Sequence, residues 1–340
     1  MYSGGMRTAH IVGGGVSGLA LAGFLSCGWD VHLHEADWDA RPVPTLFGIQ
    51  TGGRRALEAL GLGAALRRES LQISEGLLRD GAGRVLARVR GADVQLIPRP
   101  VLIGLLRDRL PSRVSVHRRT VATSRDLAGD LIVGADGVHS LIRQEHWRRS
   151  GARPLPVTVL RGVIDADLSE HALQEIWRAD GLFGITPRPG GGVNWFATVP
   201  RQRFAGRDEA LDALRARWDQ GPAGPAEVLR HADAENTLVN DLWESRWPGR
   251  LVRGHAVLIG DAAHAMAPNL GRGANESLVD ALVLGRALTA GATSRALRRY
   301  ESTRLISPQL LRRASRTMLG VATTRHERLR SAAFAPLPKG

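Results

Sequence analysis

"TAHIVGGGVSGLALAGFLSCGWDVHLHEAD", Thr8 to Asp37, holds three parts in order. Ala9 to Val12 form a short apolar strand. Gly13, Gly15 and Gly18 spell G-x-G-x-x-G at the turn into a helix, where Val16, Leu19, Ala20 and Phe24 recur at helical spacing. Asp30 to Leu33 alternates as a second strand and leads to Glu35. Alone, G-x-G-x-x-G says little. Between a strand and a helix, with an acid about twenty residues on, it is a dinucleotide fingerprint. Gly13 permits the tight turn, Gly15 lets the backbone approach a pyrophosphate, and Gly18 lets helix and strand pack closely. Ser17 lies in the first helical turn, whose N–H groups face the phosphate charge. Glu35 would accept bonds from the ribose hydroxyls and disfavours a 2′-phosphate, which points to NAD or FAD rather than NADP.

Two further Gly-Asp sites select FAD. "DLIVGADGVHSLIRQ" runs a buried strand, Leu131 to Val133, into Gly134, Asp136 and Gly137, then a helix with Ser140 and Arg143. "AVLIGDAAHAMAPNLGRGAN" runs another, Ala256 to Ile259, into Asp261 and a side-chain-poor bend with Pro268, Gly271 and Gly273. An aspartate at a strand's carboxyl end can accept bonds from a ribityl chain, and the bend offers unobstructed backbone N–H groups. The helix expected from about Asn275, entered through Ala274, points its positive end at that bend, where it would stabilise a reduced flavin.

Composition narrows the remainder. The chain has 340 residues and one cysteine, Cys27, so it holds no intramolecular disulfide and no cysteine-based metal site. Its net charge of +13 is almost wholly arginine, because Lys339 is the only lysine. That excludes P-loop and Schiff-base lysines. The excess of positive charge fits a solvated surface or attraction to an anion such as a carboxylate, a dinucleotide or an acidic carrier protein. No Arg-rich helix interleaved with aromatics suggests nucleic acid. With no apolar stretch of roughly twenty residues and no secretory segment, a soluble cytoplasmic protein without membrane contact is expected. His10, His32 and His34 show no metal spacing, and no metal is expected. His264 is read as fixing its bend by hydrogen bonding. The tryptophans between 177 and 247 are read as core, with Trp195 also a candidate for a substrate cavity. The basic amphipathic segment from Ser307 is expected to pack on the nucleotide-binding domain.

The three motifs in this order resemble the class A flavoprotein monooxygenases, the aromatic-hydroxylase-like family of single-component FAD enzymes, over nearly the whole chain. "GIQTGGRRALEALGL", "LRGVIDA", "GVNWFATVP" and "YESTR" (Tyr300 to Arg304) resemble further family segments. The resemblance implies an α/β fold: a Rossmann-like parallel-sheet FAD domain (1–77, 98–150 and 251–325) carrying an inserted, mainly antiparallel β substrate domain (78–97 and 151–250), with a tail at 326–340. It implies non-covalent FAD, contacted also by Arg99 at a helix start and by Arg41. NAD(P)H would be a transient co-substrate, and a flavin C4a-hydroperoxide would hydroxylate or epoxidise a small organic, aromatic or polyketide-like substrate. Phe47, Gly48, Trp195, Pro268 and Asn269 are the candidate cavity residues; no side chain is assigned as a catalytic base. The substrate is a small molecule, either anionic or carrier-tethered among the options, O2 is the other partner, and the protein is expected to be a monomer or homodimer. The alternatives of the same fold are an FAD-dependent cyclase or dehydrogenase; a non-catalytic FAD-binding protein is the alternative outside enzymology. Three departures stand out: Arg272 replaces the family's usual glutamine, Leu160 its usual tryptophan, and Arg118 to Asp130 is too short for the usual antiparallel meander.

Overall fold

The computed structural model describes residues 6–25, 28–40, 45–166, 168, 172–268 and 271–322. Cys27, Arg41, Asn269 and the tail lie outside them. The apolar strand of the first motif is β1 (Arg7–Val12), paired parallel with β2 (Trp29–His34) on one side and β7 (Leu131–Gly134) on the other. Parallel β6 (Ser115–His117) extends the sheet beyond β2, parallel β14 (Ala256–Leu258) extends it beyond β7, and antiparallel β13 (Val252–Arg253) closes that edge. Period-two alternation separates the faces. Ala9, Ile11, Val31 and Leu33 are fully buried in one core with residues of α1 (Val16–Phe24), α2 (Thr51–Ala59), α4 (Arg99–Asp108), α9 (Gly273–Ala290) and α10 (Thr293–Arg304).

The opposite face carries His10, His32, His34 and His117. Between β6 and β7 stands only one 3₁₀ turn, Ser124–Asp126, so this face has no meander over it, as the short segment 118–130 implies. His10 and His34 approach to 3.0 Å, His32 and His117 to 2.9 Å, and the two pairs stack with ring centroids 4.7–4.8 Å apart.

The second sheet has eight strands in the order β12-β8-β11-β10-β9-β4-β5-β3. They are β3 (Leu46–Ile49), β4 (Leu71–Asp80), β5 (Val85–Pro98), β8 (Ala152–Ile164), β9 (Leu173–Arg178), β10 (Gly181–Pro187), β11 (Val193–Pro200) and β12 (Thr237–Ser245). All pairings are antiparallel except β4 with β9. The expected boundary at residue 78 falls inside β4, and β3 pairs with β5, so this sheet draws strands from the segment first assigned to the nucleotide unit. Its outer face packs Leu160, Ile176, Phe183 and Trp195 beneath α6 (Arg207–Trp218) and α7 (Ala223–His231). Its inner face meets the parallel-sheet domain: Leu155 and Val157 of β8 share a small core with Ala267 and with Leu319 of α11 (Ser307–Ala322). Two short helices, α3 (Gly63–Glu69) and α5 (Leu141–His146), complete the order, with α8 described below. No helix among the described residues is long and apolar enough to cross a membrane.

Candidate active site

The three glycines of the first motif have different surroundings. Gly13 sits at φ +107, where a side chain is strained, and a Cβ there would overlap the Ala135 carbonyl. A Cβ on Gly18 would overlap the Gly13 carbonyl. In front of Gly15 there is open space: nothing lies within 4 Å of its hypothetical Cβ. Gly15 is also the N-cap of α1 and supplies no side-chain cap, so the first-turn N–H groups face that opening unsatisfied. Such a helix start is an anion seat of pyrophosphate size. Ser17 is buried and packs against Gly260. Glu35 is fixed beside the seat, its two oxygens accepting from the Gly14 N–H (2.7 Å) and the Asp37 N–H (2.8 Å). A second lone pair on each oxygen is left for ribose hydroxyls.

Asp136 and Asp261 lie at the carboxyl ends of the adjacent strands β7 and β14. Asp136 accepts from the Ile142 N–H (3.2 Å) through Oδ2, while its buried Oδ1 has no partner; burial pushes its carboxyl up. Asp261 opens α8 (Asp261–His264), a helical turn inside the segment expected to be an irregular bend. Among the described residues its carboxylate accepts no hydrogen bond. It has accessible surface, yet burial is the first cause raising its carboxyl, ahead of the lowering by His264, Arg99 and Arg143. Both facts hold together if that surface faces an enclosed void rather than bulk water. Arg143, fully buried, staples the two sites: its Nη1 donates to the Ala262 carbonyl (2.7 Å) and its Nη2 to that of Val138. A buried acceptor without a donor, a carboxylate facing a void and an open glycine cradle are the features FAD would satisfy.

The bend itself is held by charge. His264 Nε2 and Asp280 Oδ2 are 2.6 Å apart, Arg304 Nε donates to Asp280 Oδ1 (2.6 Å), and the Gly260 N–H donates to Oδ2 (2.8 Å). Burial alone would raise the Asp280 carboxyl, but His264 and Arg304 hold it down at about 2. His264 therefore fixes the bend, as expected from its position. Arg272 is spent within the same network: its Nη2 donates to Glu276 Oε1 (2.7 Å), and Arg304 takes Glu276 Oε2 (2.7 Å). The "YESTR" segment docks here too, with the Tyr300 hydroxyl on the Leu258 carbonyl (2.9 Å) and Glu301 accepting from the Leu251 N–H (2.8 Å). Asn275 Oδ1 accepts from the Gly53 N–H (2.8 Å) and Gln50 N–H (3.3 Å), which commits the side chain to the start of α2. Any contact of Asn275 with a cofactor is then through its backbone. Gly273 begins α9 without a side-chain cap, and Asp261 Oδ1 lies 3.9 Å from its hypothetical Cβ. Gly271, at φ +58, has open space before it, Ala274 lies in the first turn of α9, and Pro268 is exposed on the same bend.

A family profile described as FAD binding domain matches residues 87–315. The chain belongs to the class A flavoprotein monooxygenases. A 3-amino-4-hydroxybenzoate 2-monooxygenase of Streptomyces cremeus is 31% identical to it, over 87% of this chain and 82% of that protein. An aurachin C monooxygenase/isomerase of Stigmatella aurantiaca is 27% identical over 88% and 85%. Klebsiella pneumoniae HpxO, solved with FAD and uric acid, superposes at a TM-score of 0.86 with 22% identity, covering 98% of this chain and 93% of HpxO, and so shares the fold.

In this flavoprotein the second sheet is the wall facing the cofactor. Arg99 opens α4, and its guanidinium lies 5.4 Å from the centre of the Phe47 ring. Gly48 lies beside it, where a Cβ would come 3.7 Å from the Gly271 carbonyl oxygen, so β3 and the bend meet. Asn194, which sequence inspection passed over, ties β3 to the wall: its Oδ1 accepts from the Leu46 N–H (3.2 Å) and its Nδ2 donates to Thr186 (3.0 Å). Its neighbour Trp195 points the other way. The indole is 0% exposed and packs on Phe183 and the α6–α7 core, so Trp195 is not a cavity residue. Alternation along β11 was legible; which face looks at the cofactor was not.

Proposed function

We propose that this flavoprotein uses NAD(P)H and O2 to oxygenate a small aromatic or polyketide-like molecule. The observation that carries it is the juxtaposition of an open cradle, formed by Gly15, Asp261 and the start of α9, with the inner face of an antiparallel sheet. Gly13, Gly15, Gly18 and Glu35 would hold the adenosine diphosphate end; Asp136, Asp261 and Arg99 the middle; Gly271, Gly273 and Ala274 the flavin end. Bound there, FAD supplies the electron transfer and oxygen activation. The protein's own share is to position the substrate against the bend, exclude water with the sheet, and offer the positive end of α9 to negative charge at the bend. The S. cremeus relative, by its name, acts on an aminohydroxybenzoate, and we extend an aromatic substrate class to this chain on that ground.

The test is NAD(P)H oxidation by the FAD-loaded protein with candidate aromatic substrates, under air and under nitrogen, with products weighed by mass spectrometry. A product heavier by one oxygen atom, labelled from 18O2 and dependent on NAD(P)H, supports the proposal. Product formation at full rate without O2 and NAD(P)H would establish a cyclase, and O2-independent oxidation a dehydrogenase. Absence of turnover across a broad panel would leave a redox-silent FAD protein.

A further inference from the structure

Arg161 occupies the middle of β8, paired with Phe196 on β11 and Leu238 on β12. Its neighbours Leu160 and Ile164 point into the core under α6 and α7. Gly162 also faces that way, because a Cβ there would come 3.0 Å from the Trp195 ring nitrogen. Arg161 therefore points to the inner face, the one on which Leu155 and Val157 of the same strand meet Ala267 of the cofactor bend. Nothing ionic meets it there. Among the described residues it has no carboxylate partner; its Nη2 reaches only the Asn240 amide oxygen at 3.4 Å, and its Nε is buried with no acceptor at all.

Its surroundings make the vacancy costly. Burial lowers the guanidinium's pKa, and the second cause is the like charge of Arg99. Glu175 is the one acid in the same cross-strand row, which runs Glu175, Gly184, Phe196, Arg161. Three strand spacings separate it from Arg161, roughly 14 Å, and it accepts instead from the Trp177 indole at 2.8 Å. Phe196 leans across Gly184, whose missing side chain makes room for the ring, and packs on Leu182 and Met318. It does not cover Arg161. Two half-buried guanidinium groups facing one space without an anion between them is an arrangement that gains stability when an anion enters.

We infer that Arg161, opposed by Arg99, is the specificity-determining anchor for a carboxylate on the organic substrate. It rests on the oxygenase assignment only for the word substrate; the site itself is a binding claim. A carboxylate fits the planar Nε–Nη edge with two parallel hydrogen bonds, which a lysine in the same place could not offer. A neutral substrate of the same shape would leave Arg161 Nε buried and unpaired, so the wall discriminates against it.

The probes are benzoate and its neutral isostere benzamide, titrated into FAD-loaded protein and followed by the flavin absorbance change. Wild type should bind benzoate at least about tenfold more tightly than benzamide, the ratio expected of one charge-assisted bond. Arg161→Gln should bring the ratio to near unity while FAD affinity and benzamide binding stay in place, and Arg161→Lys should retain part of it. A wild-type ratio near unity, or a ratio unchanged in Arg161→Gln, overturns the inference. So does loss of FAD or of benzamide binding in both variants, which would make Arg161 a cofactor or framework residue. Slower flavin reduction by NAD(P)H in Arg161→Gln with the benzoate ratio intact would assign the pair to the nicotinamide nucleotide's phosphates instead. None of these readouts needs turnover, so a protein that discriminates through Arg161 yet oxygenates nothing would refute the oxygenase assignment and leave the anion site standing.

Discussion

Acidification should destabilise the parallel-sheet domain through its histidine face, and His34 is the group through which to measure it. Hydrogen bonding sets the tautomers. His10 Nε2–H donates to the Ala128 carbonyl (3.2 Å), so His10 Nδ1 accepts from His34 Nε2–H. His32 Nε2–H donates to Asp30 (3.1 Å), so His32 Nδ1 accepts from His117 Nε2–H. His34 is then left with a buried Nδ1 that meets no partner, and a proton arriving there would be enclosed. Burial first, then the charges of His117, His10, Arg119 and His32, lower the His34 pKa from 6.5 to about 4. Because the folded value lies below the unfolded one, the neutral ring's contribution is present above pH 6.5 and drains away as the pH falls toward 4. In full it amounts to about 3 kcal/mol, of which about 2 kcal/mol is gone at pH 5. His34 is 2% exposed, so little of this is screened by solvent. His10 and His117, also lowered, add in the same direction. Thermal unfolding of the FAD-loaded protein at pH 7.5 and pH 5.0 is the assay, with His34→Gln as the comparison. The variant should lose less on acidification than wild type, by ~4 °C in Tm. Equal pH sensitivity in the two proteins would refute the claim that His34 is held neutral by its enclosure.

Asp261→Ala and Glu35→Ala should each weaken FAD binding about tenfold, since each removes hydrogen bonds worth ~0.5–1.5 kcal/mol apiece while leaving the fold intact; a fluorescence titration of the apoprotein that shows no change in either would remove both from the site. Asp280→Asn leaves His264 and Arg304 without their shared carboxylate and should cost ~3–5 kcal/mol, seen as a lower midpoint in urea; an unchanged midpoint would mean the network is incidental. Trp195→Ala should cost ~3–5 kcal/mol through the cavity left under α6 and α7, while the protein that remains folded binds substrate analogues as before; a selective loss of substrate affinity would restore Trp195 to the cavity.

The sequence showed its local grammar and concealed its pairings. Gly13, Gly15 and Gly18, spaced between a strand and a helix, were legible because each backbone demand is met within a few residues. Asp136 and Asp261 were legible because each ends an apolar run. The helix α8 was not, since "DAAH" carries no apolar period and is held by Gly260 and Asp280 from outside. Asn275 read as a loop-end contact, but its amide is claimed by Gly53, more than two hundred residues earlier, a partner no local pattern announces. The histidine quartet needed the register of β6 on β2, which pairs His117 with His34 and exists only in the folded sheet. Arg161 and Trp195 both lie in strands with clear alternation, but parity alone cannot say which side meets a cofactor.

The insertion of the second sheet has a consequence for synthesis. β7 pairs on one side with β1, but its other edge waits for β14, which leaves the ribosome roughly 120 residues later. At ordinary elongation rates that is about 6–24 s during which a run of Leu131, Ile132 and Val133 presents an unpaired backbone. Such an edge is a template for any passing strand. Slow translation across residues 135–255, or a chain released before Ala256, would therefore favour aggregation over an inactive but folded product. A chaperone that shields one parallel edge would raise the yield of this protein more than one that merely slows collapse.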